Sequence, residues 1–246
     1  MSGRITIKWF EETDSTNTQL QNDRHDLGDL AVYAAYFQTA GRGQRGNRWE
    51  SKRGENLTFS ILFKPETIAA NEQFIISQAV ALGISDYLAE RGVECRVKWP
   101  NDIYCNDLKI CGILIENGIS SDKLAYSIAG VGININQEKF DSDAPNPTSL
   151  RLLTGKEYDI RQELPDIVSS ITRRYNQVIS GNSQQIENDY LARLYRKGEY
   201  HNYIDCINGK EFEARIIGLD LQARLQLETR DGQIRAYAFK DIGYVI

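Results

Sequence analysis

Lys98-Trp99-Pro100-Asn101-Asp102 runs on through a turn to Asp107-Leu108-Lys109-Ile110-Cys111-Gly112-Ile113-Leu114-Ile115-Glu116, and so joins two apolar runs across a polar break. Val93–Lys98 reads as a strand. Pro100 has no N–H to give a central ladder, so that strand ends and Asn101 and Asp102 project at its end. The Asn106-Asp107 pair marks a turn, and Ile110–Ile115 is the next strand. Lys109 enters that apolar strand, where a lysine is costly unless it meets an anion. Ligands of α/β sheets gather at such strand ends. Taken alone, the segment fits a plain hairpin with a snorkelling lysine equally well.

Upstream, Ile76, Val80, Ile84 and Leu88 recur at every fourth position between Glu72 and Arg91, with Gly92 behind them; this spacing predicts a helix and its terminator. Leu57–Phe63 and Leu30–Thr39 read as strands, Gly41–Asn56 as a long loop. Asp14 or Ser15 caps a short helix over Thr18–Asp23, and Ile5 and Ile7 alternate as an opening strand. Downstream, Asn117-Gly118 marks a turn before the strand Leu124–Ile135, and Asp141–Pro147 is a loop. Two amphipathic helices follow, near Gln162–Ile179, with Pro165 in its first turn, and Gln184–Tyr195. After Lys197-Gly198 the texture changes: Phe212, Ala214 and Ile216 alternate, as do Leu225 and Leu227, and Asp231-Gly232 signals a hairpin. Five short strands there predict a small barrel or curled sheet. The division expected is a mixed α/β domain over residues 1–196 and a small β domain over 197–246.

Gly41-Arg42-Gly43-Gln44-Arg45-Gly46 matches the spacing of a dinucleotide fingerprint and follows a strand. That fingerprint requires a helix to start at its end, so that phosphate meets the helix N-terminus. Here Asn47-Arg48-Trp49-Glu50-Ser51 leads to Gly54 and a strand instead, and Asn47 and Arg48 also defeat the Walker pattern. What remains is a flexible backbone carrying Arg42, Arg45 and Arg48, whose forks suit carboxylate and phosphate oxygens. A solvated charged loop is the plainer explanation, but Trp49 within it argues for something to pack on.

The chain has 246 residues, a net charge of −5 and a pI near 5.3, so no bulk attraction draws it to phosphate backbones. No apolar run reaches membrane-span length, and Met1–Phe10 has no apolar signal core. Four cysteines without a Cys-x-x-Cys pair, and two histidines, make a structural zinc site improbable. Scattered buried thiols in a reducing cytosol are expected instead.

Taken together these segments resemble the biotin–protein ligase family. The matching pieces are Asp14-Ser15-Thr16-Asn17, Gln38 with Gly41-Arg42-Gly43, Trp49, Lys98 to Asp102, Lys109 with Gly112, and Gly130-Val131-Gly132-Ile133-Asn134, in the family's order and spacing. Lys197-Gly198-Glu199 and the β tail match more weakly. The resemblance implies an α+β fold: a mixed-sheet catalytic domain of the class II aminoacyl-tRNA synthetase and biotin ligase type, followed by a small SH3-like β-barrel. It implies ATP-dependent formation of biotinyl-5'-AMP, then transfer of biotin to a lysine of a biotin carboxyl carrier protein, with Mg²⁺, in the cytoplasm. Metal ligands are not identified, and a homodimer is left open.

By the same resemblance, Ser15, Thr16 and Gln38 read the biotin ureido head, with Asn17, Gly112 and the Arg42–Gly43–Gln44 backbone alongside. Lys109 and Arg42 face the biotin carboxylate and the α-phosphate of ATP; Arg45, Trp49, Lys98, Asn101 and Asn134 surround the adenylate. Asp102 orients or deprotonates the carrier lysine, or else only holds metal or backbone. Biotin's carboxylate is already ionised at neutral pH, so the first step requires charge neutralisation and no general base. Two departures stand out. Gln44 replaces the family's usual arginine, leaving retention of the adenylate to Arg45 or Arg48, and the Ser-Thr-Asn motif at residue 15 leaves no room for the helix-turn-helix domain of the family's repressor members. The rival readings are a lipoate or octanoate ligase and a non-catalytic biotin-responsive regulator.

Overall fold

The computed structural model describes residues 6–141 and 146–246, with Arg45 described by its backbone alone. Ile5, part of the expected opening strand, and 142–145, within the expected Asp141–Pro147 loop, lie outside the described residues. The larger sheet holds β1 (Ile7–Phe10), β2 (Ala31–Ala35), β3 (Leu57–Phe63), β4 (Arg96–Lys98), β5 (Asp102–Cys105), β6 (Leu108–Ser120) and β7 (Lys123–Ile133). Their order is β1-β2-β3-β7-β6-β5-β4, parallel only between β1 and β2, so the sheet is mixed.

Strand alternation assigns the two faces of this sheet different work. Leu57, Phe59, Ile61 and Phe63 of β3 join Ile113, Ala129, Val131 and Ile133 in the main core. That core is closed by α2 (Phe74–Glu90), α4 (Ile160–Ile179) and α5 (Ser183–Ala192), which supply Ile76, Val80, Ile84, Leu164, Ile171 and Tyr190. Each such side chain taken from water contributes roughly 1.5–3 kcal/mol before conformational entropy is set against it. The intervening residues Thr58, Ser60, Gly112, Gly130 and Gly132 share a register on the opposite face. They are small or polar, and α1 (Thr16–Asp23) covers only part of them, packing Leu20 with Leu62 and Ile128. An open, glycine-cleared face is left.

Asp86 ties the helices together. Its Oδ2 accepts from Arg174 Nε at 2.6 Å and its Oδ1 from Arg193 at 2.7 Å, while Arg174 also reaches Asp189 at 2.6 Å. Burial pushes the Asp86 carboxyl upward, but its hydrogen bonds to Arg174 and Arg193 outweigh this and hold it below the ordinary value.

The smaller sheet, β8 (Tyr200–Asp205), β9 (Lys210–Leu219), β10 (Leu225–Thr229), β11 (Ile234–Tyr237) and β12 (Ile242–Tyr244), is antiparallel in the order β11-β10-β9-β8-β12. It docks through Trp99, whose indole N–H donates to the Ala223 carbonyl at 3.1 Å and whose ring meets Phe239 at 5.0 Å. The hairpin expected at Asp231-Gly232 joins β10 to β11, with Gly232 at φ 80°.

The structure corrects several expectations. Val93–Lys98 shortens to β4, and β5 was not foreseen: Lys98-Trp99-Pro100-Asn101-Asp102 is the turn of a β4–β5 hairpin, entered through a cis Trp99–Pro100 bond, rather than a free strand end. Asn117-Gly118 lies inside β6 and not in a gap; the Tyr126 ring lies over Gly118, where a Cβ would collide with it, and the register shifts there by a bulge. The run Leu30–Thr39 shortens at both ends to β2, Leu30 turning at φ 62° just before it. The first helix starts two residues early at Thr16, with Ser15 in the cap position but no side-chain cap bond. The fourth likewise starts at Ile160, capped by the Asp159 carboxylate, which places Pro165 beyond its first turn. A short helix, α3 (Leu150–Thr154), was also missed. Finally, Cys95 and Cys105 are not isolated thiols. They face each other across the β4–β5 hairpin as a disulfide, while Cys111 is buried and Cys206 exposed.

Candidate active site

The open face carries a cavity of about 660 Å³. Its head end is assembled by backbone zippering. Thr39 N donates to the Thr13 carbonyl at 2.9 Å and Ala40 N to the Asp14 carbonyl at 2.9 Å, so Asp14-Ser15-Thr16-Asn17 lies against Gln38. The Gln38 side-chain carbonyl accepts from Thr16 N at 2.7 Å and lies 3.2 Å from its hydroxyl. That hydroxyl shares a 2.6 Å hydrogen bond with Ser60, and Ser60 donates to Asn17 Oδ1 at 2.5 Å. Ser15, Thr16, Asn17 and Ser60 are buried, so this is a preorganised polar patch rather than a wet rim.

The glycine motif Gly130-Val131-Gly132 now has a physical reason. A Cβ at Gly130 would overlap the Asn17 amide, and one at Gly132 would overlap the Trp49 indole; at Gly112 it would stand 2.9 Å from Trp49 Cζ3. These glycines keep the sheet flat enough for Asn17 and Trp49 to lie directly on it. The loop that carries Trp49 is pinned as a narrow hairpin: Trp49 N donates to the Gly41 carbonyl at 3.1 Å and Gly43 N to the Asn47 carbonyl at 2.7 Å, around a 3-10 turn at Gln44–Gly46. Among the described residues Trp49 Nε1 is buried without a partner, a donor held over the cavity floor.

The two cations nominated from sequence line the same cavity. Lys109 Nζ lies 2.8 Å from Asp102 Oδ1, with both side chains about one-fifth exposed, at 20% and 18%. The costly lysine in an apolar strand therefore has its anion, supplied by the facing hairpin. Arg42 forks onto Glu116 at 2.7 and 3.0 Å. Asn101 clamps the hairpin turn to β6, donating to the Ile113 carbonyl at 2.6 Å and accepting from Ile113 N at 2.9 Å. Asn134 is buried and donates to the Thr148 carbonyl at 2.9 Å.

Of the residues nominated from sequence, Ser15, Thr16, Asn17, Gln38, Arg42, Gly43, Gln44, Trp49, Asn101, Asp102, Lys109, Gly112 and Asn134 meet in this cavity. Lys98 does not line it. Its ammonium lies 4.9 Å from each of the Tyr104 and Tyr244 rings, and burial holds its pKa below the ordinary lysine value against the pull of Asp102. The Arg45 side chain lies outside the described residues. Sequence reasoning missed Glu116, although it stands an even number of residues from Gly112 on one strand and so shares its face. It also missed Lys240, which lines the cavity from the β11–β12 connection and which no local signal announces.

The chain belongs to the biotin/lipoate A/B protein ligase family, whose family model matches residues 9–134. It is 31% identical over 238 residues to the bifunctional ligase/repressor BirA of Bacillus subtilis, covering 93% of this chain and 70% of that one. It is 31% identical over 196 residues to the biotin–[acetyl-CoA-carboxylase] ligase of Paracoccus denitrificans, covering 76% and 80%. Its fold superposes on the Aquifex aeolicus biotin protein ligase in complex with biotin and ATP with a TM-score of 0.78, at 25% identity over 97% of each chain. The fold is the biotin protein ligase catalytic fold, and the enzyme class is that of a ligase.

Proposed function

We propose that this protein joins biotin and ATP into biotinyl-5'-AMP and then transfers the biotinyl group to a lysine of a biotin carboxyl carrier protein. The observation that carries this reading is the polarity of one cavity. A hydrogen-bonding set whose Ser15, Thr16 and Asn17 are buried lines it together with the cations Arg42 and Lys109, as a urea-headed carboxylic acid requires. A plain acyl chain would offer this polar set no hydrogen bonds and would cover whatever donors and acceptors it has to spare, which disfavours such a ligand.

In the first step the ionised carboxylate attacks the α-phosphorus of ATP and pyrophosphate leaves. Arg42 and Lys109 offset the charge of the two anions as they meet, a preorganised electrostatic contribution. In the second step the carrier lysine attacks the acyl carbon, AMP leaves, and the ammonium proton goes to a carboxylate. Asp102 is that acceptor, and the Lys109 ammonium at 2.8 Å keeps it oriented. Trp49, with its free indole N–H, and Asn134 would flank the nucleotide. Among the described residues, no group of three or more His, Cys, Asp or Glu side chains is placed to hold a metal. Mg²⁺ binds readily through substrate phosphates, water and one or two carboxylates. An ion that arrives on ATP and screens its phosphates would need no more than one or two of the cavity carboxylates, which are Glu50, Asp102 and Asp141.

Residues 1–196 would form the catalytic domain, akin to class II synthetases, and 197–246 an SH3-like barrel; the separate five-stranded sheet built from Tyr200 onward supports this. Among the described residues no helix is long and apolar enough to cross a membrane. A cytoplasmic, non-DNA-binding enzyme agrees with its use of ATP and its net charge of −5. Mass spectrometry of a carrier domain incubated with the protein, biotin and Mg-ATP should show addition of one biotinyl group. Pyrophosphate exchange supported by lipoate and not by biotin would overturn the assignment.

A further inference from the structure

Glu116 occupies a junction that the proposed reaction does not use. Its Oε2 accepts from Asn17 Nδ2 at 2.8 Å and from Arg42 at 2.7 Å, and its Oε1 accepts a second Arg42 N–H at 3.0 Å. Asn17 is in turn bonded to Ser60, Ser60 to Thr16, and Thr16 to Gln38. One unbroken hydrogen-bond chain therefore runs from the head end of the cavity to the guanidinium of the loop, and Glu116 is its only ionised link. Glu116 itself does not line the cavity, whereas Arg42 and Asn17 do.

A guanidinium has five N–H donors, and the fork onto Glu116 engages one hydrogen on each terminal nitrogen. The remaining donors stay free to meet an anion in the cavity. An arginine on a glycine-flanked loop would otherwise sample many rotamers and surrender that freedom when ligand binds. The bidentate pair removes most of this freedom in advance, which is how preorganisation raises affinity. Oε2, which also takes one Arg42 N–H, holds Asn17 flat over Gly130.

From this geometry we propose that Glu116 is a positioning residue. It holds Arg42 ready for the carboxylate of the incoming acid and couples that readiness to the head-reading set through Asn17. The proposal rests on the reading of the ligand as biotin, so the test begins with wild-type protein: binding of biotin by calorimetry checks that reading, and its failure leaves Glu116 out of account.

The variants separate the two partners of the carboxylate. Glu116→Gln keeps an acceptor for Asn17 and loses the charged fork. It should weaken biotin roughly fivefold to tenfold, the scale of one partly exposed bidentate contact. Neutral biotin amide should bind Glu116→Gln as it binds wild type, because it offers Arg42 no charge. Glu116→Ala frees Asn17 as well and should weaken both ligands. In an Arg42→Ala background, Glu116→Gln should add nothing for biotin, since coupled residues depart from additivity. Tighter biotin binding in Glu116→Gln would show that Glu116 competes with the ligand for Arg42, and would overturn the proposal. Equal weakening of biotin and biotin amide by Glu116→Gln, with both variants folded, would reduce Glu116 to a structural brace and overturn it too.

Discussion

Two ionic clusters in this molecule use the same side chains for opposite ends. Under the helices, Arg174 spends its Nε on Asp86 at 2.6 Å, one terminal nitrogen on Asp86 at 3.1 Å and the other on Asp189 at 2.6 Å. Arg193 closes the remaining side of Asp86 at 2.7 Å. Every nitrogen of Arg174 has a protein acceptor, and Arg174 and Asp86 are largely shut from water, at 12% and 14% exposed. At the cavity, Lys109 has one carboxylate partner and Arg42 has Glu116, with Arg42 45% and Glu116 37% exposed. These cations are paired but not exhausted. Saturation separates glue from chemistry: a cation whose donors are all taken can only hold the fold, while one with donors to spare can meet a substrate.

The largest test of that distinction is Lys109→Ala. On the proposed mechanism it removes a cation facing the developing charge of adenylation, a loss worth roughly 3 kcal/mol, or about two orders of magnitude in rate. The fold should persist, because Asp102 remains accessible from the cavity. Biotin-dependent pyrophosphate exchange would register the loss, and near-normal exchange in folded protein would remove Lys109 from the mechanism.

Asp86→Asn should do the reverse, lowering stability by about 3 kcal/mol while the folded fraction keeps its affinity for biotin. The pH dependence has a definite sign. The folded pKa of Asp86 is depressed below its ordinary 3.8, so the stabilisation is full above that value and fades as pH falls through the folded pKa. Urea midpoints of wild type and variant should therefore converge below about pH 4 and stay apart above it. A gap that persists unchanged into acid would show that the carboxylate charge is not what Asp86 contributes.

The clusters also mark what could be read from sequence. Local chemistry announces itself: Leu57–Phe63 is a strand at both predicted ends, and the helix marked by Ile76, Val80, Ile84 and Leu88 ends before Gly92 at φ 79°. The cavity residues came through family resemblance, because their meeting depends on which strands pair. Nothing near Lys98 shows that its strand folds back through β5; the hairpin weighed as the bland alternative is there, with Lys109 paired to Asp102. Lys240 lies beyond any local reading, since it reaches the cavity only because Phe239 docks on Trp99.

Lys240 sharpens the comparison on a smaller scale. It adopts φ 72°, a region that costs a non-glycine residue about 1 kcal/mol, and among the described residues it makes no ion pair. Lys240→Gly suits that backbone and should leave stability within about 1 kcal/mol of wild type. The affinity for ATP should nonetheless fall about threefold, less at high salt, with biotin unaffected, as for one exposed charge near phosphate. Unchanged ATP titrations in the glycine variant would return Lys240 to the surface.

The smallest expected effect concerns Gln44, where the family's usual arginine is missing. Gln44 opens the 3-10 turn of the loop, its backbone carbonyl held by Asn47 N at 3.2 Å, and its side chain lines the cavity. A neutral amide donates hydrogen bonds but holds a phosphate less firmly than a guanidinium. Arg48 lines the same cavity and, apart from one 3.3 Å contact to the Thr39 carbonyl, has donors to spare. By the rule that separates the two clusters, Arg48 should be the retaining cation. Arg48→Ala should then speed escape of biotinyl-5'-AMP several-fold, seen as biotinylation of bystander lysines, whereas Gln44→Ala should change it by no more than about twofold. Gln44→Arg should slow escape, because it adds a second unsaturated fork to the same wall. If dissociation rates rank Gln44→Ala above Arg48→Ala, the amide itself is the retaining contact, and spare donors on a cation are not enough to identify where this cavity holds its anion.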